Sequence, residues 1–345
     1  MPLYYPESQT ANRPDLTMFQ ALIQPYFPSA RVLDYQTPQN TIHSIYHLNL
    51  SNGLALTLKA NPRQPTTMLR HERYSLETEA EVLSLVAPRQ NPYIPRLIGF
   101  DTLKSPPKTP YLLKQSVGGV PLSSVAHSLT PSQQNTLDTQ LGSTVRLLGQ
   151  HKSTRFGPVH DVALGAGKLS WRHAFLRSIE SLLCDAEDMF ITLPYAEIRQ
   201  QTVRLSLGLD DVTEARLVVL DLGAQAHVHV DRDMKQLIGF TEFGNAVWGD
   251  VLMGDVFENP STALLGGYGS DPRGNGGVMV RLLLCVYPVS MFLATAVIND
   301  LWNRYSCYRH LSRIVKQYYR NRQDDEEMRA RRGLTADLAE MARVN

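Results

Sequence analysis

Residues 40–60, NTIHSIYHLNLSNGLALTLKA, contain two alternating apolar runs joined by Ser51-Asn52-Gly53. Asparagine and glycine both tolerate a positive φ angle, so this pair between two such runs is a strong signal for a β-hairpin. The stretch 65–87 then changes to helical spacing, with apolar residues recurring every three or four positions. The chain is therefore expected to begin as a small antiparallel sheet and to add one helix.

The rest of the chain changes from strand patterns to helical patterns. Two short apolar runs, at 94–103 and 109–119, predict further strands because turn-forming residues bound them. Helical spacing then dominates, and the first such helix has Thr130 at its N-cap and Pro131 at its first position. Short strands return within residues 216–243, and helical patterns follow. This order predicts an α+β fold with a small sheet-rich lobe and a larger helical lobe.

The composition is that of an ordinary soluble globular protein. The chain has 345 residues, enough for two lobes, and its 43% apolar and 19% charged content argues against disorder. The net charge of +1 leaves no basic excess, so no nucleic-acid partner is predicted. Cys184, Cys285 and Cys307 are too far apart for a disulfide framework or a zinc motif, which favours a reducing cytoplasm.

Two segments bear on secretion and on membranes. The first 16 residues contain no basic stretch followed by an apolar one, so no secretory signal is predicted. Residues 282–298, LLLCVYPVSMFLATAVI, form a 17-residue run that contains Pro288 and lies at the lower limit for a membrane span. A buried core helix explains this run better, and no membrane partner is expected.

Several segments, in this order along the chain, resemble the aminoglycoside phosphotransferase family in its fungal kinase-like branch. LALTLKA resembles the strand that carries the family's nucleotide-binding lysine, which implies Lys59. LETEAEVLSLV resembles the helix whose glutamate pairs with that lysine, which implies Glu79, with Glu81 as the alternative. YLLKQSVGGVPL is similar to the hinge. The resemblance implies that the backbone of four hinge residues meets the adenine of ATP: Lys114, Gln115, Ser116 and Val117.

The second half of the chain carries the remaining parts of the resemblance. RLVVLDLGAQAHVHVD resembles the catalytic loop and implies Asp221 as the catalytic carboxylate. IGFTEFGNAVWGD is similar to the metal-binding loop and implies Glu242 as a ligand of Mg²⁺. Phosphoryl transfer asks a protein mainly for positioning and charge neutralisation, which a lysine, a carboxylate and a bound metal supply. The implied activity is transfer of a nucleotide phosphoryl group to the hydroxyl of a small metabolite, in a biosynthetic pathway.

The resemblance also implies a domain organisation of the protein-kinase-like, two-lobe type. Residues 1–29 would form an N-terminal extension. Residues 30–119 would form the N-lobe, with the sheet, one helix and the hinge at its end. Residues 120–312 would form the helical C-lobe, in which a short hairpin carries the catalytic loop, and residues 313–345 a charged helical segment. No pattern in the sequence predicts the oligomeric state.

Three positions around the implied metal depart from the family pattern. Leu220 stands where a glycine usually precedes the catalytic aspartate, and Ala226 or, with a shift of one residue, His227 stands where an asparagine is usual. Alanine cannot bind a metal, and imidazole suits zinc or copper better than Mg²⁺, so His227 would be a weak ligand. Glu242 replaces an aspartate but keeps a carboxylate.

These departures leave two hypotheses about function. The first is an ATP- and Mg²⁺-dependent phosphotransferase. The second is a pseudokinase, or a kinase-fold protein recruited to ligand binding or to a non-phosphoryl biosynthetic reaction, because fold does not fix chemistry. The N-lobe also lacks a glycine-rich loop, having Pro38, Gln39 and Asn40 in that place. Each candidate has a structural explanation as well: Asp221 can cap its own turn, and Lys59 can be an ordinary strand lysine.

Three further patterns do not require a functional site. His227 and His229 would face the same side of a strand, which permits a metal pair but does not require one. Asp250 is expected to fix the end of the metal loop. Residues 266–277, GGYGSDPRGNGG, lack the flanking strand and the Lys-Ser/Thr of a phosphate-binding loop, so we expect a surface loop there.

Overall fold

The structure is a computed structural model, and it describes seven stretches of the chain. They are residues 16–38, 42–62, 68–86, 91–102, 110–272, 290–320 and 323–343. For residues 290–304 only the backbone is described. Gln39, Asn40, residues 282–289 of the apolar run at 282–298 and residues 273–277 of the glycine-rich stretch at 266–277 lie outside the described residues.

The chain divides into two compact units. The first consists of residues 1–63 and 97–116, and the second of residues 64–96 and 117–345. The helix Ser75–Leu85, which the sequence analysis grouped with the N-lobe, belongs to the second unit.

The first unit is a five-stranded antiparallel sheet with one helix, α1 (Leu16–Ile23). Its strands are β1 (Val32–Gln36), β2 (Ser44–Leu50), β3 (Ala55–Ala60), β4 (Leu97–Asp101) and β5 (Tyr111–Gln115). Their order in the sheet is β1-β2-β3-β5-β4. The predicted hairpin is confirmed, since β2 pairs with β3 and Gly53 has a φ of 80°. A glycine fits this left-handed conformation without the strain that a side chain would add.

The two faces of this sheet differ in chemistry. One face packs against α1 and forms an apolar core around Phe19, which includes Leu56, Leu58 and Leu113. Residues alternate between faces along a strand, so the intervening Thr57 and Lys59 project from the opposite face. Lys59, which the resemblance assigns to the nucleotide, therefore lies on that second face.

The second unit is mostly helical and contains two small sheets. Its helices are α2 (Ser75–Leu85), α3 (Pro131–Leu148), α4 (Val159–Ala163), α5 (Trp171–Asp188), α6 (Tyr195–Leu205), α7 (Thr262–Tyr268), α8 (Ser290–Tyr319) and α9 (Asp324–Arg343). Its strands are β6 (Val120–Pro121), β7 (Lys152–Ser153), β8 (Gly157–Pro158), β9 (Ala215–Val219), β10 (Val228–Val230), β11 (Leu237–Phe240) and β12 (Ala246–Gly249). The sheet orders are β11-β10-β6 and β7-β9-β12-β8.

Helix α3 begins as its sequence predicts. The Thr130 side chain accepts a hydrogen bond from the Gln133 N–H, the Gln133 side chain binds back to the Thr130 N–H, and Pro131 occupies the first turn. Such a capping box satisfies N–H groups that the first turn leaves without helical partners. No helix within the described residues is both long and apolar enough to cross a membrane. The predicted α+β architecture, with a sheet-rich first part and a helical second part, is confirmed.

Candidate active site

Asp221 lies in the loop that connects β9 to β10, two residues after the end of a buried strand. Its carbonyl oxygen accepts a hydrogen bond from the Ala224 N–H at 3.1 Å, which closes a tight turn. Its carboxylate atom Oδ1 is buried and has no hydrogen-bond partner among the described residues. A buried acceptor without a partner is costly, so such an atom in a native fold indicates a place for a ligand or a proton. The carboxylate therefore does not simply cap its own turn through Oδ1.

Asp255 holds the Asp221 loop on both sides of Asp221. Its backbone N–H donates to the Leu220 carbonyl oxygen at 2.8 Å, and its Oδ1 accepts the Gly223 N–H at 3.1 Å. Gly223 needs to be a glycine here, because a Cβ would lie 2.6 Å from a Val256 methyl group. The loop backbone is thus fixed by contacts to the backbone and the carboxylate of a residue that lies more than thirty residues further along the chain.

Burial and the nearby charge of Asp221 raise the pKa of Asp255 to about 7, against the smaller opposing effect of hydrogen bonds from Gly223 and Val256. Because the folded-state pKa exceeds that of the unfolded chain, the protonated form stabilises the fold. That stabilisation is complete below pH 4 and is lost as the pH rises through about 7.

We therefore expect Asp255→Asn to change how stability depends on pH. As the pH rises from 5 to 8, the unfolding free energy of the variant should increase relative to that of wild type by on the order of 1–4 kcal/mol. Each unit of pKa shift corresponds to about 1.4 kcal/mol. Urea denaturation at both pH values measures this change. Asp233→Asn, on an exposed turn, serves as the control and should show none. An equal pH dependence in wild type and Asp255→Asn would contradict the assignment.

The loop that carries Glu242 runs beside the Asp221 loop. It connects β11 to β12, and the Leu220 N–H donates to the Asn245 carbonyl oxygen at 2.8 Å. A second bond joins the Thr241 N–H to the His227 carbonyl oxygen at 2.9 Å. The Glu242 Oε1 accepts the Gly244 N–H at 3.3 Å, which orients the carboxylate within its own loop. The structure therefore brings together the loops of the predicted catalytic and metal-binding carboxylates.

The two histidines between these carboxylates have different contacts. The Nδ1 atom of His227 lies 3.3 Å from the Asp221 carbonyl oxygen, and that of His229 lies 3.0 Å from the Gly118 carbonyl oxygen. Ala226 is exposed in the loop before β10. Across the part of the chain that the structure describes, no group of three or more His, Cys, Asp or Glu side chains could hold a metal ion.

The carboxylate of Glu242 fits a Mg²⁺ ion that takes most of its ligands from phosphate oxygens and water. Mg²⁺ in phosphoryl-transfer sites keeps several waters and takes one or two carboxylates plus phosphate oxygens, rather than a complete protein cage. Glu242 offers one such carboxylate. Ala226 contributes no ligand, so the protein supplies fewer metal ligands than the family pattern implies.

Asp250 fixes the end of the Glu242 loop. Its carboxylate accepts hydrogen bonds from the Tyr305 hydroxyl at 2.7 Å and from the Leu252 N–H at 3.1 Å. The Trp171 Nε1–H in turn donates to the Tyr305 hydroxyl oxygen at 2.7 Å. Burial raises the pKa of Asp250, while these two hydrogen bonds act in the opposite direction. This buried chain of contacts agrees with the structural role expected from the sequence.

Leu220, which replaces the family's glycine, is a packing residue. Its side chain is 8% exposed and lies in the wall of a cavity of about 390 Å³. The same wall includes Tyr308 and residues 244–247, at the end of the Glu242 loop and the start of β12. The Leu220 side chain therefore borders this cavity.

The predicted nucleotide-binding residues are placed as follows. Lys59 lies on β3 and is 1% exposed, and Glu79 lies on α2 and is fully buried. A buried charge is expensive unless it is paired, so neither is an ordinary surface residue. Glu81 is engaged elsewhere in the second unit, since its Oε1 lies 3.0 Å from Nδ1 of His160. Of the two alternatives on α2, Glu79 is therefore the better candidate.

The predicted hinge begins on β5. Lys114 and Gln115 are the last two residues of that strand, and the Ser116 N–H donates to the Ala55 carbonyl oxygen at 2.9 Å. Val117 follows at the start of the second unit's long segment. The sequence analysis assigned only backbone roles to this stretch, and it did not anticipate that the Lys114 side chain is buried.

Comparison with known proteins gives structural matches only. No protein-family model matches the chain, and no curated protein sequence matches it significantly. Among solved structures, a thermostable variant of aminoglycoside phosphotransferase APH(4)-Ia in its apo form matches with a TM-score of 0.58 at 13% identity, over 94% of this chain and 99% of that one. This chain has the fold of the aminoglycoside phosphotransferases.

Two other matches agree in fold and in extent. A GDP complex of a variant of aminoglycoside 2'-phosphotransferase-IIIa matches with a TM-score of 0.53 at 15% identity, over 94% of this chain and 98% of that one. The ternary complex of streptomycin, ATP and APH(2")-IIa matches with a TM-score of 0.54 at 14% identity, over 95% and 98%. The protein-kinase-like fold predicted from the order of elements is thereby confirmed.

Proposed function

We propose that the protein is a nucleotide-dependent phosphotransferase that acts on a hydroxyl group of a small molecule. The observation that carries this proposal is the carboxylate of Asp221, whose buried Oδ1 has no partner in the described structure while its loop is held firmly by Asp255. A general base needs a fixed position and an acceptor atom that is free to take a proton. Structures with this fold were solved with GDP and with ATP plus streptomycin, which supports nucleotide use.

The same proposal assigns roles to the other predicted site residues. Lys59, buried on β3, supplies the cation for the nucleotide phosphates, with Glu79 as its carboxylate partner. Glu242 holds Mg²⁺ together with phosphate oxygens and water. When bound, the metal neutralises charge on the transferring phosphoryl group. Asp221 accepts the proton of the acceptor hydroxyl. A structure of this fold was solved with ATP and streptomycin, which supports a small hydroxylated molecule as the acceptor.

A second candidate function is a pseudokinase that binds a nucleotide without turnover. The observation that favours it is Ala226, which offers no ligand atom where the family pattern has an asparagine. In its stronger form, this reading assigns Asp221 as the acid or base of a non-phosphoryl biosynthetic reaction. Phosphoryl transfer in the wild-type protein, once an acceptor is found, separates the two readings.

The metal assignment leads to a prediction for Glu242→Gln. The amide keeps the size of the side chain and an oxygen that can accept from Gly244, but it lacks the charge that Mg²⁺ prefers. We expect the gain in nucleotide affinity on adding Mg²⁺ to fall by at least about tenfold, the lower range for losing even a supporting group at a metal site. Isothermal titration with ADP, with and without Mg²⁺, measures it.

The control for this experiment is Glu340→Gln on the exposed side of α9, which should leave the metal effect intact. Affinity for ADP without metal should be similar in Glu242→Gln and wild type, since the substitution leaves the predicted phosphate lysine in place. An unchanged Mg²⁺ effect in Glu242→Gln would show that the metal, if bound, is held elsewhere.

A further inference from the structure

The cavity that Leu220 borders, called the Leu220 cavity below, lies entirely within the second unit. Its volume of about 390 Å³ falls within the range of pockets that hold small molecules in proteins, roughly 300–1,000 Å³. Its walls come from helices α2, α4, α5 and α8 and from strands β8 and β12. Among the described residues, Asp221 and Glu242 do not line it, so the cavity is separate from the proposed phosphoryl-transfer site.

Much of the wall of this cavity is apolar or aromatic. Pro158, Leu220 and Val247 supply apolar surface, and the last two are themselves buried. The rings of Tyr74 and His160, also in the wall, stack with their centroids 4.9 Å apart and 25° between their planes. Apolar walls offer water few hydrogen-bond partners, whereas an aromatic ligand packs well against both apolar groups and rings.

Each charged side chain in the wall already has an oppositely charged partner. The pairs are Arg70 with Asp185, Arg177 with Asp161 and Glu180 with Arg199, at N–O distances of 2.5, 3.9 and 2.7 Å. A charged ligand would have to displace a partner from one of these pairs or remain unpaired, and either event costs free energy. An uncharged ligand leaves the pairs intact.

Other polar groups in the wall form hydrogen bonds without carrying a charge. Thr78, Ser181 and Asn245 contribute hydroxyl and amide groups. Burial lowers the pKa of His71 to about 4, against the opposing effect of the nearby charge of Glu72. The His71 imidazole, which also lines the cavity, is therefore neutral at pH 7 and has one donor and one acceptor nitrogen.

We propose that the Leu220 cavity binds a small uncharged molecule that has an aromatic body and an amide or hydroxyl group. The aromatic body packs against the apolar wall, and the amide or hydroxyl group forms hydrogen bonds with the uncharged polar side chains. This ligand differs in charge from a nucleotide, so the inference goes beyond the proposed function and does not depend on it. Because Leu220 precedes Asp221 and the wall contains residues 244–247, the ligand lies beside the segments that carry Asp221 and Glu242.

The test compares three indole derivatives that share one aromatic body and differ in charge. Indole-3-acetamide is neutral, indole-3-acetate is an anion of nearly the same shape, and tryptamine is a cation. Each is added to the full chain while iodoacetamide alkylates Cys184, a half-buried cysteine in the cavity wall. Mass spectrometry of the peptide that contains Cys184 gives the rate of alkylation, so a slower rate reports occupancy of this cavity.

The neutral probe is expected to slow the alkylation of Cys184 most strongly. For a ligand of this size, indole-3-acetamide should bind with a Kd on the order of 1 mM. Indole-3-acetate and tryptamine should bind at least about 5-fold more weakly, since a buried polar group without a partner loses that much affinity or more.

A variant that fills the cavity tests the location by a second measurement. Ser181→Phe adds a ring to the wall and should abolish the binding of indole-3-acetamide in ligand-detected NMR. Ser132→Phe, at an exposed position of α3, is the matched control and should keep that binding. Thermal unfolding without ligand shows whether each variant is folded, and the alkylation measurement in wild type needs no variant.

Three results would overturn the inference. The first is an unchanged rate of Cys184 alkylation at millimolar indole-3-acetamide. The second is equal protection by the amide and by either charged analogue, which would remove the preference for an uncharged ligand. The third is binding that persists in folded Ser181→Phe, which would place the ligand elsewhere. All three leave the proposed function in place, because the assays contain no nucleotide.

Discussion

Asp221→Asn should lower the rate of phosphoryl transfer by about 10²- to 10⁴-fold, the range for removing a positioned general base. The amide has the shape of the carboxylate but cannot take a proton from an acceptor hydroxyl. Nucleotide affinity should remain within about twofold of wild type, because the lost interaction belongs to proton transfer rather than to nucleotide binding. The loop itself should stay folded, since its contacts to Asp255 involve only the backbone of Leu220 and Gly223.

The rate is measured as transfer of labelled γ-phosphate to a set of hydroxylated small molecules, with water as the default acceptor. Asp231→Asn is the matched control, because Asp231 lies in the next turn and uses Oδ1 to accept from two backbone N–H groups, a role that asparagine can keep. A wild-type rate in Asp221→Asn would remove Asp221 from the chemistry. Loss of rate together with loss of nucleotide binding would assign it a structural role instead.

The second large effect is expected at the crossing of α3 and α7. A Cβ on Gly267 would lie 2.0 Å from the Thr139 carbonyl oxygen, and a Cβ on Gly142 would lie 2.1 Å from the Leu264 carbonyl oxygen. The two backbones therefore meet through glycine on both sides, and the Ser143 hydroxyl adds a hydrogen bond to the Gly267 carbonyl oxygen at 3.2 Å. Gly267→Ala should destabilise the protein by about 3 kcal/mol, the upper part of the usual cost of overpacking.

The neighbouring glycine provides an internal control, because its substitution by alanine should change the stability in the opposite direction. A Cβ on Gly266 would meet nothing within 4 Å, and Gly266 lies in the same helix. Gly266→Ala should therefore stabilise the protein by about 0.5–1 kcal/mol, since glycine in a helix interior is unfavourable relative to alanine. Urea denaturation of both variants tests the pair. Equal shifts of the midpoint in the same direction would contradict the described crossing of the two helices.

The parts of this molecule that depend on local sequence were predictable. Asn52-Gly53 indicates its hairpin, and Thr130 with Pro131 indicates the start of α3, because turns and caps are decided by the residues within them. Asp221 was predicted as the catalytic carboxylate from the strand that precedes it and from the resemblance of its segment to a catalytic loop, and that role stays a prediction. The Asp221 and Glu242 loops lie side by side, as expected from the order of the catalytic-loop and metal-loop motifs along the chain.

Other features depend on contacts between distant segments and left no local signal. Asp255 follows Asp250 by five residues in a mostly apolar stretch, and only the folded chain brings it back to Leu220 and Gly223. Similarly, the side-chain direction of Lys114 follows from its pairing with Thr57, more than fifty residues earlier. Strand register between such segments is set by the packing of the whole sheet. The sequence therefore predicted a backbone role for Lys114 but not the burial of its side chain.

The most direct test of the proposed activity is the change in unfolding temperature on adding GTP or ATP with Mg²⁺, compared between wild type and Lys59→Met. A ligand that binds only the folded state raises this temperature by mass action. Our account predicts a rise that grows with nucleotide concentration, is larger with Mg²⁺, and is lost in Lys59→Met. No rise in wild type with either nucleotide at millimolar concentration would contradict nucleotide-dependent phosphoryl transfer by this protein.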